Sequence, residues 1–145
     1  MKPLPHLYEV RLSDGPGGYA TVSAGGVPSL RMAPPVEFDG PGDAWSPEQL
    51  LVAAVESCFL FTLRAVAAAS KVEYASIDIL GEGMLDRKDG AVRITEVVLR
   101  PVLSLPAGSD SGAAMRVLEK SAKLCFVSAS LSAPVRLEPR VLISE

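Results

Sequence analysis

The chain has 145 residues, a formal net charge of −3, 48% hydrophobic residues and 21% charged residues. This length suits one domain with a substantial core, so we expect residues 1–145 to form a single domain. The net charge is mild and the sequence has no block of one sign, which argues against nucleic-acid binding. The sequence also lacks the amphipathic stripe of Lys and Arg that is typical of proteins that bind a membrane surface.

The first 45 residues are predicted to form strands and turns. Alternating apolar and polar residues indicate strands at 7–12, 19–24 and 27–32, and the segment SDGPGG is typical of a turn between the first two. Residues 34–45 are too rich in Pro and Gly for regular structure, so we expect a loop that places the next helix.

A long helix is predicted to begin at Ser46 and to run to about Ser70. Ser46 is a good N-cap, Pro47 suits the first helical position, and Gln49 completes a capping box with Ser46. Apolar residues nearly encircle the helix axis, so we expect a central helix that is almost fully buried.

The apolar run at 50–69 must also be tested as a membrane span. Glu56 and Arg64 lie inside it, and each is costly near the centre of a bilayer. The sequence therefore favours a buried helix of a soluble protein over a membrane span.

The second half is predicted to contain strands at 76–85 and 92–105 joined by a turn, then a helix from about Gly112 to Leu124 or a little beyond. A final strand at 135–143 carries Pro139, which belongs at a sheet edge or a bulge. Mostly antiparallel strands with two helices make the predicted fold class α+β.

Two cysteines stand 67 residues apart, Cys58 in the long helix and Cys125 near the end of the second. If the fold brings them together, they form a dithiol that an oxidant closes and a reductant reopens. A cysteine in an apolar helix is more often a small core residue, and burial alone makes a thiol inert. A reactive Cys58 would therefore need a cation from elsewhere in the fold.

Two other residues need separate interpretation. Glu48 precedes Cys58 by ten residues, which places them about 80° apart around the helix and about 15 Å apart along it. Glu48 could hold an arginine that reaches back to the sulfur, or it is only a carboxylate at a helix start. His6 is the only histidine, so a zinc site or a Cys–His dyad is not favoured and no cofactor is expected.

The segments WSPEQLLVAAVESCF and KLCFVSASL resemble the OsmC/Ohr family, the osmotically inducible and organic-hydroperoxide-resistance proteins. The helix start Pro47–Leu50 and Cys58 match the first part of the family pattern. Cys125 and Ser128 match the second part. The preceding FDGPGDAW resembles the family's Gly-rich approach to the helix, and the order of strands and helices fits nearly the whole chain.

The resemblance implies an intertwined homodimer with the long helices at its centre and the active sites at the subunit interface, and a two-cysteine peroxidase. By this analogy Cys58 attacks an organic hydroperoxide and becomes a sulfenic acid, Cys125 resolves it as a disulfide, and a dithiol such as a lipoyl-bearing protein reduces it.

The N-terminus lacks the apolar core of a signal peptide, which favours the cytoplasm. Two cysteines would be a poor disulfide framework for a secreted domain.

The chain departs from the family pattern at two places. Phe126 follows the second cysteine where members usually carry proline, and the turn SDGPGGY lacks the arginine expected to pair with Glu48. Arg31 or Arg11 could supply that charge, and the strand of Arg31 leads into the loop before Ser46, which favours Arg31. The alternative function is a non-enzymatic dimer of the same fold that binds a small apolar ligand or acts as a slow redox sensor.

Overall fold

The computed structural model describes residues 1–144, and the chain divides into two compact units, Met1–Leu50 and Leu51–Glu145. The prediction that residues 1–145 form a single domain stays a prediction.

The first unit contains a three-stranded antiparallel sheet, ordered β1-β2-β3, with strands β1 at Arg11–Asp14, β2 at Ala20–Ser23 and β3 at Leu30–Met32. The turn predicted between the first two strands is present as a short 3-10 segment, Pro16–Gly18. The strand predicted at 7–12 was placed too early. The observed pairing of β1 with β2 begins at Arg11, which faces Ser23, the last residue of β2. Residues 7–10 therefore have no paired partner in this sheet.

The loop before the long helix is held by its own backbone. A Cβ atom added at Gly40 would lie 1.7 Å from the carbonyl oxygen of Pro34, so only glycine fits there.

The capping box is confirmed, because the Gln49 N–H donates to Ser46 Oγ at 3.2 Å and the Ser46 N–H donates to Gln49 Oε1 at 3.0 Å.

Helix α1 spans Pro47–Ala69, as predicted, but it is not almost fully buried within the chain. Its buried residues lie on one face, and they are Val55, Phe59, Leu63, Val66 and Ala67. The side chain of Phe61, by contrast, is 59% exposed. The helix is long and apolar enough to cross a membrane by length and composition. Its buried residues all lie in the second unit and belong to the core of that unit.

The second unit contains a four-stranded sheet with strands β4 at Ser76–Lys88, β5 at Ala91–Leu105, β6 at Val135–Leu137 and β7 at Arg140–Ile143. The predicted hairpin is confirmed, since β4 and β5 are antiparallel and turn at Asp89 and Gly90, both with positive φ. The predicted mostly antiparallel character is confirmed, and the last two strands are the exception to it. Both pair with β5 in parallel, because the chain returns to the sheet through a helical crossover.

Pro139 lies in the break between β6 and β7, at the edge of this sheet. Proline has no N–H for the ladder, so the final strand splits there into two short ones. The predicted placement of Pro139 is therefore confirmed.

Two helices form the crossover, α2 at Ser111–Leu124 and α3 at Phe126–Ala129. Asp110 caps α2 by accepting the Ala113 N–H at 3.0 Å, and the predicted bounds of this helix are confirmed to within one residue. The core of the unit lies between α1, α2 and β5, and its largest fully buried members include Phe59, Leu63, Leu99, Leu103, Leu105 and Leu118. Cys58 and Cys125 are therefore attached to packed helices.

Helix α1 and strand β4 approach closely at Gly81. A Cβ atom there would lie 2.7 Å from Glu56 Oε1 and 2.8 Å from Val52 Cγ1, so the missing side chain permits the contact. Burial raises the pKa of the Glu56 carboxyl, and a hydrogen bond from the Gly81 N–H opposes that rise.

Replacing Glu56 with glutamine should raise the melting temperature at neutral pH. Because the pKa of Glu56 is raised in the folded chain, the folded chain binds more protons than the unfolded chain at pH values above the ordinary glutamate pKa. The free energy of unfolding therefore falls as the pH rises through this range. Glutamine carries no charge and still accepts from Gly81. The gain should disappear at about pH 3, where the carboxyl is largely protonated in both states. Thermal unfolding at both pH values checks this, and exposed Glu73→Gln is the control that should change neither temperature.

Candidate active site

The structure brings the two cysteines together inside the second unit. Cys58 lies in the middle of α1 and is half-buried, whereas Cys125 joins α2 to α3 and is only 1% exposed. Both thiols are free, and their side chains are hydrogen-bond partners. The fold therefore places a dithiol where the sequence offered only two separated cysteines.

Several donors surround the Cys58 sulfur. Burial alone would raise the pKa of this thiol, but the Val127 N–H, the Cys125 thiol, the Phe126 N–H and the Thr62 hydroxyl hydrogen-bond to it and together hold its pKa below the ordinary value. Hydrogen bonds to the charged form of a group favour that form. The local structure thus favours a thiolate at Cys58 without a cation from its own unit.

Cys125 has the opposite character. Burial raises the pKa of its thiol, the hydroxyl and backbone N–H of Ser128 oppose that rise, and the neighbouring Cys58 raises the pKa further. A negative charge on Cys58 disfavours a second one beside it. The pair therefore holds its first negative charge on Cys58 and keeps a proton on Cys125.

This division of roles defines what the pair can do chemically. A half-buried thiolate is a nucleophile, and an adjacent protonated thiol is a partner for a later disulfide. Cys58 can attack an electrophile. Cys125 can then attack the Cys58 sulfur, displace the group bound to it and form a disulfide.

Thr62 and the backbone donors at 126 and 127 were not predicted from the sequence as members of this site. Thr62 had a detectable signal, because it follows Cys58 by four residues and so lies on the same side of the helix one turn later. The two N–H groups had none. They belong to a segment far from Cys58 in sequence, so no local pattern indicates that they influence its pKa.

Glu48 belongs to the first unit and lines a cleft there. The cleft has a volume of about 470 Å³ and its walls include Leu12, Tyr19, Met32, Phe38, Pro47 and Glu48. One carboxylate oxygen, Glu48 Oε2, is buried and has no hydrogen-bond partner among the described residues. A buried polar atom of this kind is uncommon and marks the cleft as a candidate ligand site.

The two candidate arginines lie in the first unit as well. Arg31 Nη2 donates to Asp43 Oδ2 at 3.2 Å, and its guanidinium lies 4.6 Å from the centre of the Tyr19 ring. Arg11 is exposed on β1. Within residues 1–144 the recorded ion pair of Arg31 is with Asp43, and the expected pairing with Glu48 is not formed. The roles of Glu48, Arg31 and Arg11 towards Cys58 stay predictions.

Comparisons with known proteins agree on one family. Residues 40–140 match the sequence profile of the family described as OsmC-like protein. YmaD of Bacillus subtilis, an uncharacterised protein, is 29% identical over 107 residues, which cover 72% of this chain and 71% of that protein. Peroxiredoxin OsmC of Escherichia coli is 29% identical over 93 residues, which cover 64% of each.

Solved structures show the same fold. The organic hydroperoxide resistance protein OsmC of Legionella pneumophila superposes with a TM-score of 0.74 at 23% identity, covering 97% of this chain and 99% of that one. The strands, the long helix and the crossover of this chain are therefore those of a known α+β architecture.

Proposed function

This chain belongs to the OsmC-like protein family, and from that premise we propose that it is a thiol-dependent peroxidase for organic hydroperoxides. The observation that carries the proposal is the pairing of a half-buried Cys58, which the local hydrogen bonds favour as a thiolate, with a protonated Cys125. Relatives named as a peroxiredoxin and as an organic hydroperoxide resistance protein support the same chemistry.

The proposed cycle uses only the two thiols and two co-substrates. The Cys58 thiolate attacks the terminal oxygen of the hydroperoxide, the O–O bond breaks, and the alkoxide takes up a proton and leaves as an alcohol. Cys58 is now a sulfenic acid. The Cys125 thiol attacks this sulfur, which releases water and forms the Cys58–Cys125 disulfide, and an external dithiol reduces the bond by thiol–disulfide exchange.

Preference for an organic peroxide would come from apolar groups beside the sulfur. Phe59 and Phe61 lie close to Cys58 in sequence, but Phe59 is fully buried in the core and is not available to a substrate. Phe126 follows Cys125 directly in the chain, and its side chain is 77% exposed. We propose that this exposed aromatic ring favours an alkyl or aryl peroxide over hydrogen peroxide.

We further propose that the protein is a cytoplasmic homodimer reduced by a dithiol partner such as a lipoyl-bearing protein. The exposed apolar positions of α1 support the dimer, because a helix with apolar residues all round is normally covered on every side. Glu48 with Arg31 or Arg11 remains our candidate for additional charge at the site.

The second candidate function is non-enzymatic binding of a small apolar ligand, or slow redox sensing. The cleft beside Glu48 favours the ligand-binding form, since its volume falls within the range of small-molecule sites and its walls are mostly apolar. In this case Cys58 would react with peroxides no faster than free cysteine does.

Stopped-flow oxidation of the reduced protein separates the two functions. Cumene hydroperoxide should remove two free thiols per chain rapidly, and hydrogen peroxide should act more slowly. Thiols are counted after each reaction, and non-reducing mass spectrometry identifies the Cys58–Cys125 disulfide. Loss of thiols at the rate of free cysteine with both peroxides would contradict the peroxidase and leave ligand binding as the better proposal.

A further inference from the structure

One wall of the cleft in the first unit is a face of the three-stranded sheet. In the strand register Asp14 faces Ala20 and Ala20 faces Met32, so these residues form one row across β1, β2 and β3. Leu12 precedes Asp14 by two residues and lies on the same face of β1. All four residues line the cleft, so the sheet presents one continuous face to it.

The remaining wall comes from the loop before α1 and from the start of that helix. Pro34, Pro35 and Phe38 belong to the loop, and Pro47 and Glu48 are the first two residues of α1. The cleft has a volume of about 470 Å³ and its walls are mostly apolar. A cleft of this size and character is typical of a site for a small organic molecule.

The charge of the cleft selects among such molecules. Among the described residues that line it, the charged ones are Asp14 and Glu48, and both are acidic. Arg31 contacts the ring of Tyr19 in the wall, but its guanidinium is paired with Asp43 at 3.2 Å. A cleft lined by charges of one sign concentrates their field, so this cleft complements a cation.

Glu48 is the group that a cation would contact. Its Oε2 atom is buried and has no hydrogen-bond partner within residues 1–144, although buried polar atoms are normally paired. The terminal torsion of glutamate is soft, and this oxygen has no hydrogen bond to lose when the carboxylate turns towards a ligand. An ammonium group would satisfy the oxygen with a charge-assisted hydrogen bond. The rings of Tyr19 and Phe38 suit the same ligand, because aromatic rings pack against apolar groups and attract cations at their faces.

We propose that this cleft binds a small organic cation, an ammonium group on an apolar body, with the ammonium group at Glu48 and the body against the sheet. This ligand class deepens the ligand-binding function proposed above, on which it rests. Binding needs no reaction at Cys58, so it is compatible with a peroxidase and with a protein that has no peroxidase activity.

The test compares three probes of similar size by NMR titration of the isotope-labelled, reduced, full-length protein. Phenethylamine carries a cation, phenethyl alcohol carries a neutral hydroxyl, and phenylacetate carries an anion. The amine should bind about tenfold more tightly than the alcohol, which is the scale of one charge-assisted hydrogen bond. Phenylacetate should bind more weakly than the alcohol, because its charge has the same sign as that of the cleft.

Two variants locate the preference. Glu48→Gln removes the charge with little change in size and should reduce the affinity for the amine to that for the alcohol. Glu37→Gln makes the same change of net charge at an exposed residue of the same unit outside the cleft walls, and it should keep the preference. In the wild type, the amide signals that shift with the amine should include those of Ala20 and Met32. This last measurement tests the site even if Glu48→Gln does not fold.

The outcomes separate this ligand class from the functions proposed above. Equal affinities for the amine and the alcohol in the wild type would overturn the organic cation and leave an apolar ligand in place. A preference that survives in folded Glu48→Gln would also overturn the proposal, as would shifts confined to the second unit. Absence of binding by every probe would contradict both the cation and the ligand-binding function. It would not bear on the peroxidase, which the count of free thiols tests.

Discussion

Replacing Cys58 with serine should abolish reduction of organic hydroperoxides, with a loss of roughly 10⁴-fold or more, the scale on which removal of a catalytic nucleophile acts. Serine is nearly the same size, so the variant should keep its fold. Its hydroxyl, however, remains protonated at neutral pH and does not attack the O–O bond. Steady-state turnover of cumene hydroperoxide with a dithiol reductant measures the loss.

Replacing Cys125 with serine should produce a different defect. The first oxidation of Cys58 should remain fast, since the introduced hydroxyl can still donate a hydrogen bond to the Cys58 sulfur in place of the thiol, but no disulfide can form. Cys58 should then accumulate as a sulfenic acid and be driven to the sulfinic acid by excess peroxide. Mass spectrometry of the oxidised variant distinguishes these products. Equal and mild effects of the two substitutions would rule out the two-cysteine cycle.

The largest stability loss should come from Phe59→Ala. The Phe59 side chain is fully buried in the core between α1, α2 and β5, and truncating such a residue costs about 3–5 kcal/mol of unfolding free energy. For a chain of this length that corresponds to a melting temperature lower by roughly 10–16 °C. Thermal unfolding followed by circular dichroism provides the measurement.

Phe61→Ala is the matched control on the same helix. Phe61 is mostly exposed within the chain, so its truncation should change the unfolding free energy by no more than about 0.5 kcal/mol at a protein concentration low enough for the monomer to predominate. If α1 forms the proposed dimer interface, the variant should instead dissociate at a higher concentration than the wild type, as light scattering would detect. Equal losses of melting temperature in the two variants at every concentration would contradict this division of the helix.

Much of the architecture could be predicted from local signals. The start of α1 follows from the Ser46–Gln49 capping box, and the β4–β5 hairpin follows from alternation and the Asp89-Gly90 turn. Each of these signals acts within a few residues. The early start predicted for β1 is an error that arose where a distant partner decides the outcome. For the same reason the parallel pairing of the last two strands with β5 was not predicted.

The sequence by itself determined which elements form and which two thiols the chain contains, and their local contexts were sufficient to indicate the family. Only the tertiary structure decided that Cys58 and Cys125 meet, that Cys58 has the lowered pKa and Cys125 the raised one, and that backbone N–H groups at 126 and 127 are donors to Cys58. The physical reason is that a thiol pKa depends on burial and on groups within hydrogen-bond reach. Here those groups come from two helices that are distant in sequence.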